Sequence, residues 1–327
     1  MIIPVYNGET SISQAVDSAL AQTWEKIEVI VVDDGSTDRT WTILEARAAT
    51  DPRLRLIHQN NLGVARARNR GITAARGAFI APLDADDLWE PRKIDLQMHR
   101  LFEAGEQTGL VYCWWVWIDD EGVILDRSPR WNIEGSFFEL LLKVNFTGNA
   151  SVPLFRRSCL EAAGAYDVTL EDRGSRGCDD WNLALRVADR YHLAVVPEVL
   201  VGYRRRDRSM SSSRETMWRS YQLVAGDLRK LRPDLDSSVF RKSSSQFALY
   251  LAGTAFRAGA FMEAIRWGSR ALRPSFPWRL LPYLTRLILK QAVGLGKPRG
   301  YVMRPGENLD RGKIPEPLMP YDRIYPD

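Results

Sequence analysis

The sequence predicts an α/β fold: a mainly parallel sheet flanked by helices, followed by a C-terminal helical appendage. Three observations lead there. Short apolar runs of strand type alternate with amphipathic helical patterns through the first hundred residues. Two of those runs end in acidic turns, Val31-Val32-Asp33-Asp34-Gly35-Ser36-Thr37-Asp38 and Leu83-Asp84-Ala85-Asp86-Asp87. From about residue 215 only helical patterns remain.

The spacing predicts a first strand over 2–5 and a helix over 11–22, with Ile12, Ala15, Val16, Ala19 and Leu20 on one stripe. A strand over 27–32 and a helix over 38–49 follow. Ser36 or Thr37 is placed to cap that helix by accepting its free N–H groups. A strand over 54–58 leads to a helix over 65–75 and a fourth strand over 78–83. This order calls for parallel strands joined by right-handed crossovers. Residues 109–118 read as an aromatic strand before the polar turn Asp119-Asp120-Glu121-Gly122. Segment 133–144 reads as a helix, 150–155 as extended, 156–163 and 180–191 as helices, and 195–201 as a late strand. Segments 248–257 and 261–272 form a helical hairpin around Gly259. The division is an α/β domain over 1–213, a helical appendage over 214–297 and an extended Pro- and Gly-rich tail over 298–327.

A chain of 327 residues has room for one sizeable α/β domain and a smaller addition. Its 45% hydrophobic and 26% charged residues are ordinary for a globular protein. A net charge of +4 is too small an excess to argue for nucleic acid, and no nucleic-acid partner is expected. Cys113, Cys159 and Cys178 are odd in number and widely spaced, which suggests neither a disulfide framework nor a zinc site. The N-terminus has no basic segment ahead of a long apolar core, and no run reaches the roughly 18 apolar residues of a membrane span. The expectation is a cytoplasmic protein. Residues 278–297 set Leu280, Leu281, Leu284, Leu287, Ile288 and Val293 beside Arg279, Arg286, Lys290 and Lys297, a pattern suited to peripheral contact with the inner face of a membrane. The same leucines also suit an intramolecular core.

Parallel strands end on one edge of an open sheet, where ligands bind. Carboxylates on two such ends can hold a divalent cation and a ribose or base. Asp84 and Asp86 alternate around Ala85 and so point to one side in extended geometry, able to hold Mg²⁺ or Mn²⁺ against a diphosphate. The bland alternatives are a solvated acidic loop there, and at Asp33-Asp34 a tight turn whose carboxylates accept backbone N–H groups. Arg66, Arg68 and Asn69 open or line a helix after a glycine-containing loop, and both a helix N-terminus and an arginine favour phosphate. Trp114, Trp115 and Trp117 suit either sugar stacking or, more commonly, a core.

Five segments then stand in a telling order: Pro4-Val5-Tyr6-Asn7, Asp33-Asp34-Gly35-Ser36, Asn61 through Gly71, Asp84 through Pro91, and Cys178-Asp179-Asp180-Trp181-Asn182-Leu183 with Tyr203-Arg204 after it. Over residues 2 to about 211 the chain resembles family 2 glycosyltransferases. The resemblance implies a Rossmann-like GT-A domain. It also implies inverting transfer of a sugar from a nucleotide-diphosphate donor, UDP-sugar favoured, to a hydroxyl of a glycan or lipid-linked glycan, with Mg²⁺ or Mn²⁺. It places Pro4, Tyr6, Asn7, Asp34, Arg68, Asp84 and Arg206 at the nucleotide-sugar, with Asp34 on the base. Asp86, the last aspartate of the D-x-D, is the most direct metal ligand, with Asp84 beside it.

Inversion needs a carboxylate that takes the acceptor proton. Family members carry a Glu-Asp pair before an aromatic residue. Here Asp179-Asp180-Trp181 shortens the first position by one methylene and puts Asp180 in the base position, with Asp179 and Trp181 on the acceptor side. Asp180 also starts a helical pattern, where a capping role would compete. Residues 203–211 resemble the family's Tyr-Arg-x-His-x-x-Ser-x-Ser loop near the diphosphate. Arg206 replaces the histidine, which puts metal ligation there in doubt and leaves phosphate binding. The chain opens directly on its first strand, where relatives usually have a few preceding residues, and reads as shortened there.

The main rival is a non-catalytic nucleotide-sugar-binding scaffold on a degenerate GT-A domain. Joint retention of Asp34, Asp86 and Asp180 argues against it. A nucleotidyltransferase or a dehydrogenase would need a glycine-rich phosphate loop after the first strand, and Pro4-Val5-Tyr6-Asn7-Gly8-Glu9 has none.

Overall fold

The computed structural model describes residues 1–206, 213–271 and 302–307. In its first part strands and helices alternate as the apolar spacing predicts: β1 (Ile2–Val5), α1 (Ile12–Leu20), β2 (Val29–Asp33), α2 (Thr40–Ala48), β3 (Leu54–His58) and α3 (Val64–Ala74). Every residue of β1 and β2 is buried, which is why both read as unbroken apolar runs. The three strands pair in parallel, with Ile3 opposite Val31 and Val31 opposite Leu56. Their carboxyl ends therefore share one edge.

The chain continues through β4 (Phe79–Ile80), β5 (Leu88–Trp89), α4 (Lys93–Glu103), β6 (Thr108–Ile118), β7 (Ile124–Arg127), α5 (Phe138–Lys143), β8 (Leu154–Arg156), α6 (Arg157–Ala162), α7 (Val168–Asp172), α8 (Asp179–Ala188) and β9 (His192–Arg204). A second sheet runs in the order β4-β8-β6-β9-β5, with β7 on β6. Within it β6 and β9 are parallel, while the β4–β8, β6–β8, β5–β9 and β6–β7 pairs are antiparallel. The two sheets meet where Ile2 pairs in parallel with Pro82, through Ile2 N–H to Ala81 O at 3.0 Å and Leu83 N–H to Ile2 O at 2.9 Å. That junction brings the second acidic turn beside the end of β1.

Some expectations shift. The helix predicted over 133–144 is confined to α5, because Gly135 takes φ +106° and exchanges backbone hydrogen bonds with Leu193, holding residues just before α5 against the sheet. Ser36 and Thr37 do not cap α2. Asp38 does that work, accepting from Thr40 N–H at 2.9 Å, while Ser36 Oγ accepts from Asn7 N–H at 2.9 Å. The strands β4 and β5 have two residues each, too few for a period to declare itself.

The helical part comprises α9 (Arg214–Leu231), α10 (Ser237–Arg257) and α11 (Phe261–Ala271), the last two forming the predicted hairpin. One apolar cluster runs from β1 and β2 through β6 and β9 to Tyr221, Leu251 and Trp267, so these helices share their core with the α/β part. Val302 pairs with Val123, and Met303 fills a small cluster with Leu88, Val116, Ile118 and Ile124. The amphipathic stretch predicted at 280–295, and most of the proposed tail, lie outside the described residues.

Candidate functional site

The first edge is built by side chains that tie strand ends together. Asn7 sits in the left-handed region at φ 52° and accepts from Thr37 N–H at 2.8 Å through its side-chain oxygen, so the end of β1 is bound to the turn after β2. Tyr6 beside it is half exposed. Pro4 is buried inside β1 and shapes the strand rather than offering surface. Asp33 is fully buried and its carboxylate meets His58 Nδ1 at 2.8 Å. Asp34, 4% exposed, accepts from Gln59 Nε2 at 2.7 Å and from the N–H groups of Leu62 and Gly63 at 2.9 Å each. Its carboxylate therefore holds the loop that leads into α3. Gly63 caps that helix at φ +95°, a backbone conformation that side chains with a Cβ rarely adopt, and the Glu171 carboxylate of α7 lies where a Cβ would stand.

The second turn carries three carboxylates. Asp87 is fully buried and accepts from Asn149 Nδ2 and Ser151 Oγ at 2.6 Å each and from Arg204 N–H at 2.9 Å. Burial, then the neighbouring Asp86 and Asp84, push its carboxyl well above the ordinary range. Arg204, 3% exposed, spreads its guanidinium over Asp86 O at 2.6 Å, Asp119 O at 2.7 Å, Asp120 O and Gln14 Oε1 at 2.7 Å. It thereby locks the acidic turn to β9, the β6–β7 turn and α1. Asp87 thus anchors the turn, and Asp84 and Asp86 retain partial exposure, at 25% and 33% of their side chains.

A buried arginine connects this turn to α8. Arg68, 4% exposed on α3, donates from Nη2 to Asp84 Oδ1 and lies over the Tyr166 ring at 5.0 Å. Burial lowers its pKa, but Asp84 and Tyr166, and then Asp180, outweigh that, so the guanidinium stays charged. Its Nε has no hydrogen-bond partner among the described residues. The same charge acts on both acids at the start of α8. Asp179, 7% exposed with Oδ1 unpartnered, is pushed up to about 7 by burial against the pull of Arg68. Asp180 is raised as well, by burial first, again opposed by Arg68. Asp180 does not cap α8. Cys178 occupies that position at φ 70° without a side-chain cap, and Asp180 accepts from Trp181 N–H at 2.8 Å.

Arg68, Asp84, Asp179 and Asp180 thus form one charge cluster, with Asp86 coupled through Asp84. Arg206 joins it, its Nε 3.8 Å from Asp86 Oδ2 and 3.5 Å from Asp120 Oδ1. Arg66 lies apart, paired with Asp172 at 2.9 Å. Trp181 does not stand open on the acceptor side. It is 4% exposed, its Nε1 donates to Leu141 O at 2.9 Å, and its ring stacks on Tyr221 and Phe247 at 5.7 and 6.2 Å. Trp115 is buried too, whereas Trp114 and Trp117 are partly exposed. Tyr166, Arg204, Asp87, Ser151 and Glu171 were not singled out for the site by sequence. Of these, Asp87 and Arg204 stand inside quoted motifs, and Tyr166, Ser151 and Glu171 carry no local signal.

Among the described residues no group of three or more His, Cys, Asp or Glu side chains is arranged to hold a metal ion. A two-carboxylate set still suits Mg²⁺ or Mn²⁺, which take few protein oxygens where a diphosphate supplies the rest. Asp86 is pushed up to about 6 by burial and then by Asp84. Two carboxylates that repel each other in this way, both partly exposed, fit a hard divalent cation.

Comparison with known proteins agrees with this architecture. Residues 1–158 match the family described as Glycosyl transferase family 2. An uncharacterized glycosyltransferase of Rickettsia typhi is 31% identical over 256 residues, which cover 76% of each chain. The putative glycosyltransferase EpsH of Bacillus subtilis is 38% identical over 167 residues, and the match spans only about half of that relative, 48% of its length. Among solved structures, S. aureus TarS 1–349 in complex with UDP-GlcNAc superposes at a TM-score of 0.57 with 16% identity, over 82% of this chain and 89% of that one. The mannosyltransferase PcManGT of Pyrobaculum calidifontis, in complex with GDP-Man and Mn²⁺, gives 0.57 and 23% over 91% and 80%. At such identities the solved structures establish the fold.

Proposed function

Because the chain belongs to glycosyl transferase family 2, we propose that it moves a sugar from a nucleotide-diphosphate donor to a hydroxyl acceptor, with inversion and with a divalent cation. The observation that carries this reading is Arg68. It holds Asp84 directly and its charge reaches Asp179 and Asp180, so the donor-side and acceptor-side carboxylates belong to one cluster.

The geometry supports the following roles. A carboxylate has about four lone-pair positions, and three at Asp34 are already filled. The remaining one suits a base that offers one ring N–H, as uracil and thymine do at N3, which is compatible with the UDP-sugar that the family resemblance favours. Tyr6 offers a half-exposed ring at the same strand end. Asp86 and Asp84 would hold Mg²⁺ or Mn²⁺, which when bound neutralises charge on the departing diphosphate. Arg206 supplies a further cation beside Asp86. Asp180, held by backbone N–H groups at the start of α8 and raised in pKa, takes the proton of the acceptor hydroxyl as that oxygen attacks the anomeric carbon. The acceptor class proposed is a cell-surface glycan or a lipid-linked glycan.

A panel of UDP-, GDP- and dTDP-sugars, with Mn²⁺ or with EDTA, tests the reading through nucleotide release and thermal shift. The expected result is stabilisation and slow nucleoside-diphosphate release with a UDP-sugar in Mn²⁺ and neither in EDTA. A full response in EDTA, or no response to any donor, would contradict it.

A further inference from the structure

The chain is divided in charge. Residues 1–212 carry 25 Lys and Arg against 31 Asp and Glu, whereas residues 213–306 carry 17 against 5. From Ala264 to Gly306 there are nine basic residues and no acidic one. A net charge of +4 hides this asymmetry. Within the basic part, α11 buries Trp267 and Ala271 against the core and turns three large apolar side chains outward: Phe261, Met262 and Ile265 are 58%, 79% and 65% exposed. These three are adjacent on one face, at spacings of one, three and four residues. Glu263, the one acid on the helix, is held by Arg214 at 2.6 Å. Arg266 stands on the same helix and pairs with Glu215 at 3.4 Å, while Arg270 folds inward with its guanidinium 4.5 Å over the buried Trp267 ring.

We propose that the outward face of α11 docks on an anionic lipid bilayer. An apolar strip within a cationic segment matches the acyl boundary and the charged headgroups together, which neither half of the pattern would do alone. A nucleic acid would answer the charge but leave Phe261, Met262 and Ile265 without a partner. A bilayer would also present a lipid-linked acceptor of the kind proposed above, and that last step rests on the proposed function. Trp181, next to Asp180, stacks on Tyr221 of α9 and Phe247 of α10, and Trp218 of α9 meets Trp267 of α11 at 5.5 Å, so the appendage packs against the start of α8.

Sedimentation of the full chain with vesicles tests this without any assay of transfer. The full chain is expected to co-sediment with phosphatidylcholine vesicles containing phosphatidylglycerol and to stay in solution with pure phosphatidylcholine. The double variant Met262→Glu, Ile265→Glu is expected to lose bound fraction by about tenfold or more, while its circular dichroism and nucleotide-induced thermal shift match the parent. Absence of co-sedimentation, equal binding by the variant, or a self-association that the variant abolishes in place of vesicle binding would overturn the proposal. Because nucleotide binding is measured separately, failure here leaves the transferase reading standing.

Discussion

Asp180→Asn is expected to lower turnover by about 10²-fold or more while leaving donor affinity near that of the parent. The substitution keeps the side-chain oxygen that accepts from Trp181 N–H, so the first turn of α8 is preserved. What it removes is a basic carboxylate. Burial raises the pKa of that carboxylate and Arg68 restrains the rise. The group acts as a base only when ionised, so turnover of the parent is expected to climb as pH rises through this elevated value and then level. Steady-state kinetics across pH, with donor affinity measured by titration, check both statements. Near-normal turnover in the variant would move the base elsewhere, with Asp179 the first alternative because it lies in the same cluster with an unpartnered oxygen.

The second large effect is expected at the other turn. Asp86→Ala should abolish the part of nucleotide binding that depends on the metal, a loss of about tenfold or more in affinity in Mn²⁺ and little change in EDTA. The fold should survive, since the turn is anchored by Asp87 and by Arg204, which bonds the Asp86 backbone carbonyl and not its side chain. Calorimetric titration of a nucleoside diphosphate with and without Mn²⁺ separates the two contributions. Unaltered Mn²⁺ dependence in this variant would show that Asp86 is not the ligand.

The parts of this arrangement that sequence discloses are those fixed by local pattern. The parallel strands β1 and β2 are buried throughout, so their apolar runs were continuous and their acidic ends easy to place. The helical hairpin was legible from the break at Gly259. What escaped depends on partners far along the chain. Arg204 meets Asp87 across 117 positions, and Trp181 meets Leu141 across 40. An aromatic residue beside a proposed base looks the same in sequence whether it faces a sugar or stacks on Tyr221. The segment just before α5 has helical composition, yet pairing of Gly135 with Leu193 overrides it. Asp34 was legible as a site residue, but its three hydrogen bonds to the loop that leads into α3 were not.

The central claim is direct displacement at the anomeric carbon, assisted by one carboxylate base. The measurement that bears on it most directly is the anomeric configuration of the glycoside formed on a soluble acceptor analogue, read by proton NMR with a donor of defined α linkage. The account predicts a β-linked product whose formation falls with Asp180→Asn. An α-linked product would contradict it, since a single displacement from the face opposite the leaving group cannot retain configuration.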